Sequence, residues 1–227
     1  MSPEEIKENL EKIKSSLPET VKLCAVSKFH PLENVEAALS AGQTLFGENR
    51  VQEAVEKFSK INENSKRAEL HIIGSLQSNK VRKAVSVADC IQSADRSELV
   101  ELINREAARI NKNISIFFEL HTGEESKSGF ASEKEVLDLC QRFADGEFTN
   151  VSPAGLMTMA PFTDNQAEIR NSFSTLRKLK EKINSLYPQL PVKELSMGMS
   201  GDYKIAVDEG STMVRVGTAI FGQRNYN

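Results

Sequence analysis

The chain has 227 residues, of which 39% are hydrophobic and 27% charged, so one domain with a large buried core fits it. A formal net charge of -3 gives no electrostatic reason to expect nucleic acid or an anionic membrane as a partner. No apolar run approaches the ~18 residues needed to span a bilayer, and the polar, acidic start "MSPEEIKENL" does not read as a signal peptide.

In chain order, Ser2 caps a first helix, Pro3 fits its first turn and Glu5 completes a capping box. Ile6, Leu10, Ile13 and Leu17 then form one apolar face. Strand-like runs follow at "VKLCAV" (21–26), "QTLFG" (43–47), "LHIIG" (70–74) and "DCIQS" (89–93). Asp95 with Glu98 signals another helix, with Leu99, Leu102, Ile103 and Ile110 as its stripe. After "ISIFFEL" (114–120), Ser132 with Glu135 repeats the signature ahead of Val136, Leu139, Cys140 and Phe143. "VSPAGLM" (151–157) leads to the longest helix, from about residue 164 to 186, with Ile169, Phe173, Leu176, Ile183 and Leu186 on its apolar side. The lysine-rich side of that helix reads as a solvated face. "VKELSM" (192–197), a short helix in "DYKIAVDEG" ended by Gly210, and "TMVRVG" (212–217) complete the series.

Nearly continuous apolar character suits strands covered on both faces. Eight such strands alternating with helices predict an α/β fold: a single-domain (β/α)8 TIM barrel over residues 1–227, with an extra N-terminal helix. A doubly wound open sheet is the alternative. No linker, low-complexity tract or composition shift marks a second domain. Cys24, Cys90 and Cys140 are odd in number and lack CxxC spacing, as expected of thiols in a reducing cytoplasm. His30, His71 and His121 are too dispersed for a local zinc motif.

The functional face of such a barrel is the carboxyl end of its strands. Lys28 follows the first strand, and shares parity with Cys24 and Val26; if those face the lumen, its amine points into the mouth. Gly198, Ser200 and Gly201 follow the seventh strand, and Gly217 and Thr218 the eighth, where barrels commonly build a phosphate cup. Asp202 would have to turn away from an anion held there. A lysine opposite a phosphate cup suggests pyridoxal phosphate, because an aldehyde cofactor condenses with a neutral amine. Arg215, buried on the eighth strand, would donate to the ring nitrogen and leave the ring a weak electron sink. Each residue also has a plainer reading. Lys28 is otherwise a solvated strand-end lysine, Arg215 a structural arginine satisfied by carbonyls, and Asn49 a helix-start residue. His71 and His121 read as satisfied core or rim histidines. Met157, Met159, Met197 and Met199 read as adaptable packing at the mouth.

The blocks "AVSKFHP", "FGENRVQEAVEK", "HIIGSLQSNKV", "EESKSGF", "GLMTMAP" and "LSMGMSGDYKIAVDEGSTMVRVGTAIFG" resemble the pyridoxal phosphate homeostasis protein family, in order from about residue 20 to residue 224. The resemblance implies a barrel like the N-terminal domain of alanine racemase, with pyridoxal 5'-phosphate held as an imine on Lys28. It implies that Ser200, Gly217 and Thr218 hold the phosphate with Met199 alongside, that Arg215 faces the ring nitrogen, and that Asn49 lies near the ring and the imine. It further implies a cytoplasmic carrier or buffer in vitamin B6 homeostasis, with effects on amino-acid balance and no established reaction. The expected protein is monomeric, with apo forms of enzymes using the cofactor as partners. His121 departs from the Asn usual in the family, "EL" stands before His71, and Lys204 occupies an often acidic position.

The alternative is an amino-acid racemase of low activity. Racemisation needs a second base opposite Lys28, and of Tyr187, Tyr203 and Tyr226 only Tyr203 is a candidate. A phosphate-ester enzyme would explain the glycines but not Lys28.

Overall fold

The computed structural model describes residues 1–63, 68–123 and 128–223. Its strands are β1 (Lys22–Val26), β2 (Leu45–Glu48), β3 (Glu69–Ile72), β4 (Cys90–Ala94), β5 (Ile114–Glu119), β6 (Val151–Met157), β7 (Glu194–Ser196) and β8 (Met213–Val216). Each pairs in parallel with the next, and β8 returns to β1 with Lys22 opposite Met213 and Cys24 opposite Arg215. That closure rules out the open sheet. The helices are α1 (Pro3–Ser15), α2 (Leu32–Ser40), α3 (Val51–Glu63), α4 (Val81–Val87), α5 (Ser97–Arg109), α6 (Glu133–Ala144), α7 (Gln166–Leu186), α8 (Tyr203–Asp208) and α9 (Thr218–Phe221).

Strand alternation sorts side chains into two layers. Leu23, Ala25, Phe46, Phe118 and Val214 join the core between barrel and helices. Cys24, Leu45, Cys90, Phe117, Met157 and Met213 instead fill the lumen, with Ala154 and Met159 packed against them. Both apolar faces of each strand are therefore buried, which is why the runs read as continuous. The β5–β6 register shifts between Ile116 and Phe117, so that Phe117 pairs with Gly155 rather than Ala154.

The expected capping box on α1 is present: Glu5 N–H donates to Ser2 Oγ at 3.2 Å and Ser2 N–H to Glu5 Oε2 at 2.7 Å. Ser132 likewise caps α6 through Glu135 N–H. Three expectations are corrected. Asp95 does not cap α5; Arg96 holds that position in extended backbone, and the Asp95 carboxylate pairs with the Arg96 guanidinium at 2.5 Å. Ile110 and Leu186 stand 52% and 55% exposed, because each sits at the end of its helix where the apolar stripe has rotated off the core. Met197 and Met199 do not fill the mouth. Met197 packs in the layer between barrel and helices and Met199 is exposed.

Among the described residues, no helix is long and apolar enough to cross a membrane. The three cysteines are unpaired and buried, and burial pushes the Cys24 thiol up to about 12.

Candidate functional site at the carboxyl end of the barrel

Lys28 follows β1 in a turn closed by His30 N–H donating to Ser27 C=O at 3.1 Å, and it is half-buried. It stands two residues past Val26, the last residue of β1, at the carboxyl end of the barrel. The next residue, Phe29, is at φ 63°. A bulky residue in the left-handed region is an outlier, and costs on the order of 1–3 kcal/mol that the surroundings must offset.

Those surroundings come from β2 and α3. Ser27 Oγ donates to Glu48 Oε1 at 2.7 Å. Lys57 Nζ, on α3, donates to Ser27 C=O at 2.8 Å, to Glu48 Oε1 at 3.0 Å and to Glu53 Oε1 at 2.6 Å. Glu53 Oε1 also accepts the Phe29 N–H at 2.6 Å. Arg50 lies over the Phe29 ring at 4.6 Å, and His30 packs at a tilt against Phe221 of α9. Burial raises the Glu48 carboxyl to about 7, against the opposing pull of Lys57. Glu53 and Lys57 were not singled out in the sequence, though Lys57 carried a signal: it shares the helix face of Ala54, Phe58 and Ile61, an odd place for an ammonium without a partner.

Asn49 follows β2, and its backbone is crowded by Gly74: a Cβ there would lie 2.6 Å from the Asn49 carbonyl oxygen. Asn49 Oδ1 is buried and has no hydrogen-bond partner among the described residues; the same holds for Glu48 Oε2, Glu119 Oε2 and His121 Nδ1. Glu119, at the end of β5 on the parity of Phe117, is a second group the sequence did not single out. Its Oε1 accepts Ser128 Oγ–H at 2.7 Å, which ties Ser128 to the strand end. Burial raises the Glu119 carboxyl to about 7, opposed by the Ser128 hydroxyl and the Arg215 charge. Lys127 and most of the 124–130 loop lie outside the described residues.

Arg215 is 4% exposed. It donates to Ser196 C=O at 2.6 Å, Ser196 Oγ at 2.8 Å and Thr158 C=O at 2.8 Å, which uses three of its five donors. The carbonyl-satisfied reading of this arginine is thus correct as far as it goes, and N–H groups are left over. From Arg215 a single line of bonds crosses the lumen. Ser196 Oγ–H donates to Gln92 Oε1 at 2.6 Å, and Gln92 Nε2 donates to His71 Nδ1 at 2.6 Å. That leaves His71 Nε2–H to donate to Glu69 Oε1 at 3.0 Å. His71 is therefore a satisfied core histidine, its tautomer fixed by both neighbours. Gln92→Leu would strand His71 Nδ1 and leave the Ser196 hydroxyl proton without its acceptor, and is expected to cost about 2–6 kcal/mol in urea unfolding, at 1–3 for each orphaned group.

The two glycine-containing turns stand at neighbouring strand ends. Gly198 is at φ 96°, and a Cβ there would lie 2.6 Å from that of Ala206. Gly217 sits against β1, where a Cβ would come within 3.0 Å of the Val26 carbonyl oxygen. That approach brings the β8 turn beside the Lys28 turn. Ser200 and Thr218 are exposed. Asp202 does turn inward on its own loop, its Oδ1 accepting the Met199 N–H at 2.5 Å. The Met199 amide is accordingly occupied.

The tyrosines bear on the racemase alternative. The Tyr203 hydroxyl lies 3.2 Å from Ser16 Oγ at the C-cap of α1, and the Tyr187 hydroxyl donates to Leu137 C=O. Tyr226 lies outside the described residues.

Residues 1–225 of this closed parallel barrel match the family model described as the alanine racemase N-terminal domain. Among solved structures, an alanine racemase from E. faecalis has a TM-score of 0.75 at 20% identity, covering 98% of this chain and 59% of that one. Full-length relatives are nearer in sequence. The pyridoxal phosphate homeostasis protein of Haemophilus influenzae is 40% identical over 209 residues, 92% of this chain and 87% of that protein. Its Escherichia coli counterpart is 34% identical over 213 residues, 92% and 88% of the two chains. PipY of Synechococcus elongatus, solved with PLP bound, has a TM-score of 0.88 at 37% identity and covers 96% of this chain. The chain belongs to the pyridoxal phosphate homeostasis protein family.

Proposed function

We propose that this chain binds pyridoxal 5'-phosphate through an imine on Lys28 and serves vitamin B6 homeostasis as a carrier or buffer, with effects on amino-acid balance. The observation that carries the reading is the juxtaposition of the Lys28 turn with the Gly217 turn, lysine and phosphate-type loop on adjoining strands of one barrel mouth. PLP bound to PipY, at 37% identity, supports the cofactor assignment.

When bound, the cofactor supplies an aldehyde that condenses with an amine, and a ring that withdraws electrons. Ser200, Gly217 and Thr218 would hold the phosphate. Met199 would contribute its side chain, since its amide is engaged by Asp202. Asn49 Oδ1, buried without a partner among the described residues, offers an acceptor near the ring and the lysine. Arg215 has donors to spare for the ring nitrogen and does not give up its proton, which leaves that nitrogen unprotonated. A weak electron sink suits holding the cofactor more than breaking bonds at a substrate carbon.

On this reading the whole chain is a single cofactor-binding domain, a cytoplasmic monomer that passes its cargo to apo enzymes. The decisive test is the visible spectrum of the purified protein after incubation with the cofactor. Wild type is expected to show the imine band and Lys28→Ala to lack it; a wild type without the band defeats the proposal. Rapid, stereochemically complete Cα exchange of alanine in deuterated water would instead mark a racemase.

A further inference from the structure

Lys28 lies between two residues whose backbones are each tied to another element. Ser27 is bound through its hydroxyl to Glu48 and through its carbonyl to Lys57, and Phe29 is bound through its amide to Glu53. The tie at Phe29 acts on a strained residue. In a four-residue turn, the two common arrangements differ by a flip of the central peptide, and the one with positive φ at the third residue belongs to glycine. Phe29 occupies that third position at φ 63°. Flipping the Lys28–Phe29 peptide would relax the ring-bearing residue, and would also pull its N–H off the Glu53 carboxylate. The carboxylate is thus the group that opposes the relaxation. Lys57, 7% exposed, keeps it there while holding the first residue of the turn at the same ammonium.

We propose that Glu53, fixed by Lys57, is the positioning residue for the Lys28 amine: it holds the lysine turn in its strained form so that the amine meets the cofactor aldehyde from one fixed direction. The inference rests on the assignment of Lys28 as the cofactor lysine. Strain maintained by a dedicated charged group, at the residue next to the reacting one, is the arrangement expected of a pre-organised site.

The test compares wild type, Glu53→Ala, Glu53→Gln and the double variant Glu53→Ala/Phe29→Gly. Two readouts are used: release of the cofactor followed by loss of the imine band, and hydrogen exchange of the Phe29 amide without cofactor. Glu53→Ala is expected to form the band but release the cofactor about tenfold faster, with Phe29 exchange faster by a similar factor. Glu53→Gln keeps an acceptor for the Phe29 N–H and should stay within about twofold of wild type. The double variant should recover most of the loss, because glycine adopts positive φ without strain. A merely structural clamp would lower thermal stability without changing release, and Phe29→Gly would restore nothing. Unchanged release in Glu53→Ala overturns the inference, even if exchange is faster. A wild type that forms no imine defeats the Lys28 assignment instead, and Phe29 exchange then decides by itself whether Glu53 holds the turn.

Discussion

Lys57→Met is expected to lose about 3–5 kcal/mol of stability at about pH 8, a fifth or more of the roughly 5–15 kcal/mol typical of a folded domain. The methionine fills the volume, so packing is not the cause. The cause is charge. Lys57 is the cation between Glu48 and Glu53, with side-chain exposures of 9%, 0% and 20% for the three residues. Its removal leaves two carboxylates facing one another in the protein interior and the Ser27 carbonyl without its donor. Glu48 already titrates at about 7 with Lys57 beside it, and without the ammonium it moves higher. The loss should therefore be smaller at about pH 5, where Glu48 is protonated in the folded state. Urea unfolding at the two pH values measures both. A loss under about 1 kcal/mol at the higher pH would show that the cluster holds no net electrostatic energy.

What was legible in the sequence was whatever depends on neighbours in the chain. Ser2 with Glu5, and Ser132 with Glu135, announce helix starts because a cap and its partner lie three residues apart. The same signature misled at Asp95, where the adjacent Arg96 captures the carboxylate before it can reach the helix amides. The strands were legible as buried, but not which side of each met the lumen. That depends on register, and one bulge opposite Ile116 resets it for β6. Lys28 stands out as the proposed cofactor lysine only because distant glycine segments supply its counterpart. Glu53 and Lys57 were hidden for the converse reason, since their partners Ser27 and Phe29 lie about one strand–helix unit upstream and the contact exists only once β1 and β2 pair. Glu119 was hidden inside an apolar run, where a single acid reads as a strand end.

Acidification should stabilise this protein between pH values where most proteins are indifferent or lose stability, and Glu119 is where the effect is cleanest. An unfolded glutamate titrates near its ordinary 4.5, whereas burial holds folded Glu119 at about 7. Between those values the folded state carries a proton that the unfolded state does not. Its contribution to stability is thus complete at acid pH and is lost as the pH rises through about 7. Glu48 adds to the slope in the same sense. Glu119→Gln removes the ionisation and keeps an oxygen to accept from the Ser128 hydroxyl. The variant should be more stable than wild type by on the order of 2 kcal/mol at about pH 8, and nearly equal to it at about pH 5. Unfolding curves at the two pH values decide the matter: a variant destabilised equally at both would mean that Glu119 is held by attraction to Arg215 rather than opposed by burial. The location gives the effect its meaning. The carboxylate sits at the barrel mouth, within the field of Arg215, with Oε2 lacking a partner among the described residues. Stability is thus surrendered at the end of the barrel where the proposed cofactor site lies.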